Sequence, residues 1–196
     1  MLRHKYPLPD EKRHAQLYEI LARFQKTGID YRGIAGTYLG AVRHAGIIPY
    51  DDDIDVGVLP SEMKKLLDFQ PAELAKYRLV LGKTMHDYGM CKLFLAEHGV
   101  GSNHAHQRPS VDVFEMAVSQ DGSQERVHYA GKRSLAYWPH EWFSLQSEWH
   151  APYNVKFGPG HVRIAGGDVE KCCERMWGPT WRIPQVKKVY RLLYFK

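Results

Sequence analysis

The chain of 196 residues contains no C-x-x-C pair; its cysteines are Cys91, Cys172 and Cys173. Three cysteines, two of them adjacent, make a poor disulfide framework, and their spacing excludes the usual structural zinc sites. A reduced compartment is the simpler expectation. No apolar run approaches the roughly 18 residues that a membrane span requires. The opening MLRHKYPLPDEKRH has no apolar stretch of the kind a signal peptide carries. A cytoplasmic protein without a transmembrane segment is therefore expected. Internal repeats and low-complexity stretches are also missing, which removes solenoid and array architectures.

Acidic residues are not in excess: 27 Lys and Arg stand against 22 Asp and Glu, a net charge of +5. That modest surplus suits an anionic partner such as a nucleotide, a phosphorylated glycan or an acidic surface, and an ordinary soluble protein shows it as readily. The length fits one domain over residues 1–196, with 185–196 as a basic and aromatic tail. It is sufficient to bury a sizeable core.

Hydrophobic periodicity places a helix from Asp10, as cap, to about Thr27, with Leu17, Ile20, Leu21 and Phe24 on one face and Gly28 as the stop. Ile29–Ala35 reads as a strand, Thr37–His44 as a short helix and Asp53–Val58 as a strand. Helices follow Pro60 and Pro71. Arg78–Gly82, Met90–Ala96 and Val111–Val118 read as strands, and a turn at Asp121-Gly122 leads to a strand near Val127–Tyr129. Trp138–Gly160 reads as irregular, and Asp168 starts a helix that reaches Met176. Helices and strands interleave, with hairpins in the second half. An α+β fold with a mixed sheet flanked by helices is expected.

The chemistry concentrates in GTYLGAVRHAGIIPYDDDIDVGV, Gly36 to Val58. Asp51, Asp52, Asp53 and Asp55 repel one another unless cations neutralise them. Strand alternation turns Asp53 and Asp55 to one face and Ile54 and Val56 to the core. Such a pair suits a hard divalent cation, Mg²⁺ or Mn²⁺, of the kind that serves phosphoryl chemistry. An EF-hand loop is excluded because Val56 stands where that loop needs glycine. A solvated acidic turn is the plain alternative, disfavoured by the apolar residues threaded through the run. Asp112 in VDVF is costly inside an apolar strand unless it is paired. Beside the Asp53 strand it would complete a set of three carboxylates. Gly36-Thr37 at a helix start offers backbone N–H groups and a hydroxyl for phosphate. Arg43 could clamp phosphate or pair with Asp51.

These residues closely resemble the signature of the LicD family, which includes fukutin and the fukutin-related protein. The signature has the form G-[TS]-x-L-G-A-x-R-x-x-x-x-I-P-[WY]-D-x-D-x-D. Gly36, Thr37, Leu39, Gly40, Ala41, Arg43, Ile48, Pro49, Tyr50, Asp51, Asp53 and Asp55 match it. VDVFEM and MWGPTWRIP resemble two further family segments, so the resemblance runs from about Leu17 to Pro184. It implies a nucleotidyltransferase fold and a phosphotransferase. Such an enzyme moves a phosphorylated alcohol, for example phosphocholine or ribitol phosphate, from a CDP-linked donor to a glycan or glycolipid acceptor, and CMP leaves. By the same resemblance Asp53, Asp55 and Asp112 hold Mg²⁺ or Mn²⁺, and Asp51 is a further acidic site residue. Gly36, Thr37 and Arg43 meet donor phosphates, and Lys92 falls where members often carry a lysine. The cysteine–histidine zinc insertion of the fukutin branch has no counterpart in these residues, and that branch's membrane anchor is not expected.

Asp112 is the first candidate for the base that deprotonates the acceptor, then Asp51, then His104. His98, His104, His106 and Arg108 share one loop, which solvent explains best. Trp138, Trp142 and Trp149 are candidates for an acceptor groove. The tail, with Lys187, Lys188, Arg191 and Lys196, packs on the domain or touches an acidic membrane surface. No nucleic acid partner is expected. Two alternatives stand beside the phosphotransferase: a nucleotidyltransferase that attacks an NTP at its α-phosphate and releases pyrophosphate, and an inactive nucleotide- or glycan-binding module.

Overall fold

Helix α1 (Glu11–Gln25) buries Leu17, Ile20, Leu21 and Phe24, the stripe expected from 3.6-residue periodicity. Gly28 follows with φ +78°, a conformation that a side chain would resist. The computed structural model describes residues 11–49, 51–82, 84–98 and 109–184. The Asp10 cap, Tyr50, His104, His106, Arg108 and the tail 185–196 lie outside them, as does the side chain of His98.

The architecture is α+β, built on a mixed nine-stranded sheet. The strands are β1 (Arg32–Gly33), β2 (Ile54–Val58), β3 (Leu79–Leu81), β4 (Met90–Leu95), β5 (Val111–Asp121), β6 (Gln124–Tyr129), β7 (Trp142–Ser144), β8 (Tyr153–Phe157) and β9 (Gly160–Ile164). The main path runs β3-β4-β5-β2-β1-β9-β8, while β6 pairs with the far half of β5 and carries β7. The pairs β2·β5 and β1·β9 are parallel, and β5·β6 and β8·β9 are antiparallel. The remaining helices are α2 (Ala35–His44), α3 (Pro60–Asp68), α4 (Pro71–Lys76), α5 (Lys132–Tyr137) and α6 (Val169–Trp177). None of the described helices is long and apolar enough to cross a membrane.

Ile54, Val56, Val58, Val111, Val113, Cys91 and Leu93 are fully buried. Alternation puts those on β2 and β5 on one face of the sheet, where α3 packs against β5 and α1 against β4 and β5. The other face carries Asp55, Gly57, Asp112, Phe114 and Met116. A Cβ on Gly57 would come within 2.8 Å of Met116 Cγ and 3.1 Å of Trp149 Cη2, so these two side chains close over the sheet at that point.

Three sequence expectations change. The strand expected over Ile29–Ala35 shrinks to Arg32–Gly33, because β2 and β9 meet it there only and Ala35 is drawn into α2. Trp138–Gly160 is not irregular: it holds β7, a π-helical turn over Leu145–Trp149 and β8. Trp149 is 1% exposed and packs on Phe143, so it is core and lines no acceptor groove.

Candidate active site

Parallel pairing of β2 with β5 sets Asp55 directly opposite Asp112, and antiparallel pairing of β4 with β5 sets Lys92 opposite Asp112. Asp53 immediately precedes β2 and shares the face of Asp55. One carboxylate oxygen from each of Asp53, Asp55 and Asp112 lies within 4.8 Å of the others. A second set, Asp51, Asp52 and Asp53, meets the same limit, so Asp53 is common to both.

The inner carboxylate is the most tightly held. Asp112 is buried; Ser110 Oγ donates to its Oδ1 at 2.7 Å, and Lys92 Nζ is ion-paired to its Oδ2. Burial alone would lower the Lys92 pKa, but the Asp112 carboxylate outweighs it and holds the ammonium above its ordinary range. Burial, then the charges of Asp51, Asp112 and Asp52, pushes Asp53 well above the usual carboxylate range. Burial and the charges of Asp53, Asp112, Asp51 and Glu141 do the same to Asp55. Asp51 is pushed up to about 7 by burial and by Asp52. Among the described residues countercharge is scarce: Lys92 pairs with Asp112, and Arg13 lies 3.7 Å from the exposed Asp52. Three converging oxygen donors with so little positive charge fit a hard divalent cation.

Helix α2 begins against this cluster. Its Ala35 has φ +46°, an unusual state for a residue with a side chain. A Cβ on Gly36 would fall 2.5 Å from Asp51 Oδ2, so glycine is what lets that carboxylate reach the helix start. Asp55 N–H donates to Thr37 Oγ1 at 2.8 Å, and Ile34 N–H donates to the Asp55 carbonyl at 3.1 Å. The Thr37 hydroxyl thus holds the acidic strand itself. His14 Nε2 donates to the Asp51 carbonyl at 3.1 Å.

Arg43 is not brought to the carboxylates. It stands seven residues beyond Gly36, about 10 Å along the helix axis. Its Nη1 donates to the Trp181 carbonyl at 2.6 Å, and its Nε to His44 Nδ1 at 3.3 Å. The alternative weighed for it, an ion pair with Asp51, does not form, because helix rise carries the guanidinium to the segment that follows α6. Trp142 is held between two guanidiniums, Arg126 and Arg175, each 3.8 Å from its ring centre. Trp138 remains partly exposed, in contact with Tyr129, Tyr137 and Phe114.

Two participants were not among the sequence candidates. Ser110 stands two residues before Asp112, a spacing that alternation would place on one face. Glu141 is 5% exposed; its Oε1 accepts from Ala35 N–H and its Oε2 accepts from Tyr129 O–H at 2.9 Å. No local pattern announces it, since its partner Ala35 is 106 positions away.

A family model described as LicD/FKTN/FKRP, nucleotidyltransferase domain, matches residues 28–155, a span that includes α2, the acidic run, Lys92 and Asp112. The chain is 45% identical over 53 residues to an uncharacterized protein of Rickettsia typhi (strain ATCC VR-144 / Wilmington), covering 25% of this chain and 17% of that protein. It is 39% identical over 64 residues to an uncharacterized protein of Rickettsia prowazekii (strain Madrid E), covering 31% of this chain and 24% of that protein. The matched segments thus span about a fifth of the length of these curated relatives. With residues 28–155, more than half of the chain, matched by that family model, the chain belongs to the LicD/FKTN/FKRP nucleotidyltransferase-domain family.

Proposed function

We propose that this chain transfers a phosphorylated alcohol from a CDP-linked donor to a hydroxyl of a glycan or glycolipid, with release of CMP. The observation that carries this reading is the convergence of Asp53, Asp55 and Asp112 within 4.8 Å, beside a helix start opened by glycine, in a member of this family. Asp53, Asp55 and Asp112 would hold Mg²⁺ or Mn²⁺, which when bound supplies the positive charge that a reacting diphosphate needs.

The chain's own groups divide the remaining work. Lys92 and Ser110 occupy both oxygens of Asp112, which suits a fixed ligand better than a proton acceptor. The base role therefore moves to Asp51, whose carboxylate lies against Gly36 at the start of α2. The acceptor oxygen forms a bond to the donor's β-phosphorus. The bond from that phosphorus to the bridging oxygen breaks, CMP departs with the electron pair, and the acceptor proton passes to Asp51. Thr37 keeps the Asp55 strand in place, and backbone N–H groups near Gly36 face the donor phosphates. On the acceptor side, Trp138 packs at 6.2 Å on Phe114, which shares the face of Asp112 two residues along β5. Tyr137, adjoining Trp138, is 63% exposed. These rings offer a surface on which a sugar can stack.

The family's description as a nucleotidyltransferase domain favours a second reading in which an NTP is attacked at its α-phosphorus and pyrophosphate leaves. Product analysis separates the two. Incubation with CDP-alcohols, NTPs, Mg²⁺ or Mn²⁺ and candidate glycans should yield CMP. Pyrophosphate without CMP would replace the first reading by the second.

A further inference from the structure

We infer that Glu141 is a positioning residue for the metal carboxylates: it fixes the start of α2 and, through it, the Asp55 strand. The inference rests on the metal-site reading above. Glu141 is buried, and each of its carboxylate oxygens is committed to a different element: Oε1 to Ala35 N–H of α2 and Oε2 to Tyr129 O–H of β6. The N-cap of helix α2, Ile34, offers no side-chain cap, and among the described residues Glu141 takes that place. An acidic side chain at that end compensates a free N–H and the helix dipole. Ala35 itself sits at φ +46°, a state that persists only where surrounding contacts impose it. Glu141 supplies such a contact.

The consequence reaches the site in two short steps. Ala35 is followed by Gly36, against which Asp51 lies, and Thr37, whose Oγ1 accepts from Asp55 N–H at 2.8 Å. Ile34, one residue before, donates to the Asp55 carbonyl at 3.1 Å. Both backbone groups of Asp55 are therefore gripped by the four residues Ile34 to Thr37. Releasing Ala35 loosens both grips, and the oxygens of Asp53 and Asp55 lose their fixed spacing from Asp112. Tyr129 anchors the other end: its ring packs on Phe114 at 5.3 Å, on the strand that carries Asp112. Glu141 thus ties the two halves of the carboxylate set through α2 on one side and β5 on the other.

The test measures Mn²⁺ affinity by electron paramagnetic resonance and hydrogen exchange at the Asp55 amide. It uses the full chain and its E141Q, E141D and E141A variants. Gln keeps the length, accepts from Ala35 and donates to the Tyr129 oxygen; Asp is too short to span both. E141A and E141D should weaken Mn²⁺ roughly 10–100-fold, the usual cost of losing a partner behind a metal ligand, and should lose Asp55 amide protection. E141Q should keep both within about threefold of the native chain. If E141A fails to fold, the E141D and E141Q pair carries the comparison. Native Mn²⁺ affinity and native Asp55 protection in E141D, or an E141Q that behaves like E141D, overturns the inference. Failure of the native chain to bind Mn²⁺ overturns the metal-site reading and this inference with it.

Discussion

Asp112 and Asp51 illustrate how much a single residue's surroundings decide. In the sequence Asp51 opens the acidic run while Asp112 stands alone in VDVF, and Asp112 is the first choice for a base. The structure gives Asp112 two donors, Ser110 Oγ and Lys92 Nζ, and buries it, whereas Asp51 reaches the start of α2 past a glycine. D112N should therefore lose Mn²⁺ affinity and turnover in proportion. D51N should keep Mn²⁺ affinity within a few-fold and lose turnover by about 10²–10⁴, the range for a removed general base. Calorimetric Mn²⁺ titration beside steady-state rates distinguishes them, and a D51N enzyme with native turnover would return the base role to another group. The convergence of Asp53, Asp55 and Asp112 was legible from alternation and from the cost of an apolar-framed Asp. Glu141 was not, because a buried acid that satisfies groups 106 positions away leaves no mark in its own neighbourhood.

At the scale of elements, segments with a clear apolar period or a proline start were readable and those without one were not. The stripe of α1 and the alternation of β2 and β5 follow from residues that each element can place on one face. Strand β7 has three residues and no turn signal to mark its ends, and the π-helical turn that follows it has no sequence signature. Expected strand Val127–Tyr129 extends to Gln124–Tyr129 because the β5 ladder continues down to the turn, Asp121 opposite Gln124. Arg43, whose place in the signature suggests phosphate, holds the Trp181 carbonyl through its Nη1 at 2.6 Å. R43A should accordingly lower thermal stability by about 1–3 kcal/mol, the cost of a lost charge-assisted bond to the backbone, while the donor KM stays within about twofold. A large rise in donor KM with unchanged stability would restore the phosphate role.

For the whole molecule, the span that matches the family, residues 28–155, is not the whole sheet. Strand β9 lies beyond it and pairs in parallel with β1 at Gly33. Helix α1, before it, packs on β3, β4 and β5. The site is thus held by parts of the chain outside the signature, and a ligand at the carboxylates should stabilise the entire fold. Among the described residues of the cluster, Lys92 and Arg13 are the cations paired with its carboxylates. The cation-free protein therefore keeps close negative charge that a divalent ion would relieve. Binding at a hundredfold excess over Kd adds about 2.7 kcal/mol, or roughly 5–10 °C at about 2–4 °C per kcal/mol for a domain of this size. Mg²⁺ or Mn²⁺ should raise Tm by that amount over protein in EDTA. CDP should add a further rise when the cation is present and little without it, because two anionic partners cannot share the site unneutralised. D53N, which removes the carboxylate common to both acidic groups, should abolish the cation shift and with it the CDP shift, while its own EDTA Tm stays close to the native value. A CDP shift of equal size in EDTA, or an undiminished Mg²⁺ shift in D53N, would place the nucleotide or the cation elsewhere on the molecule.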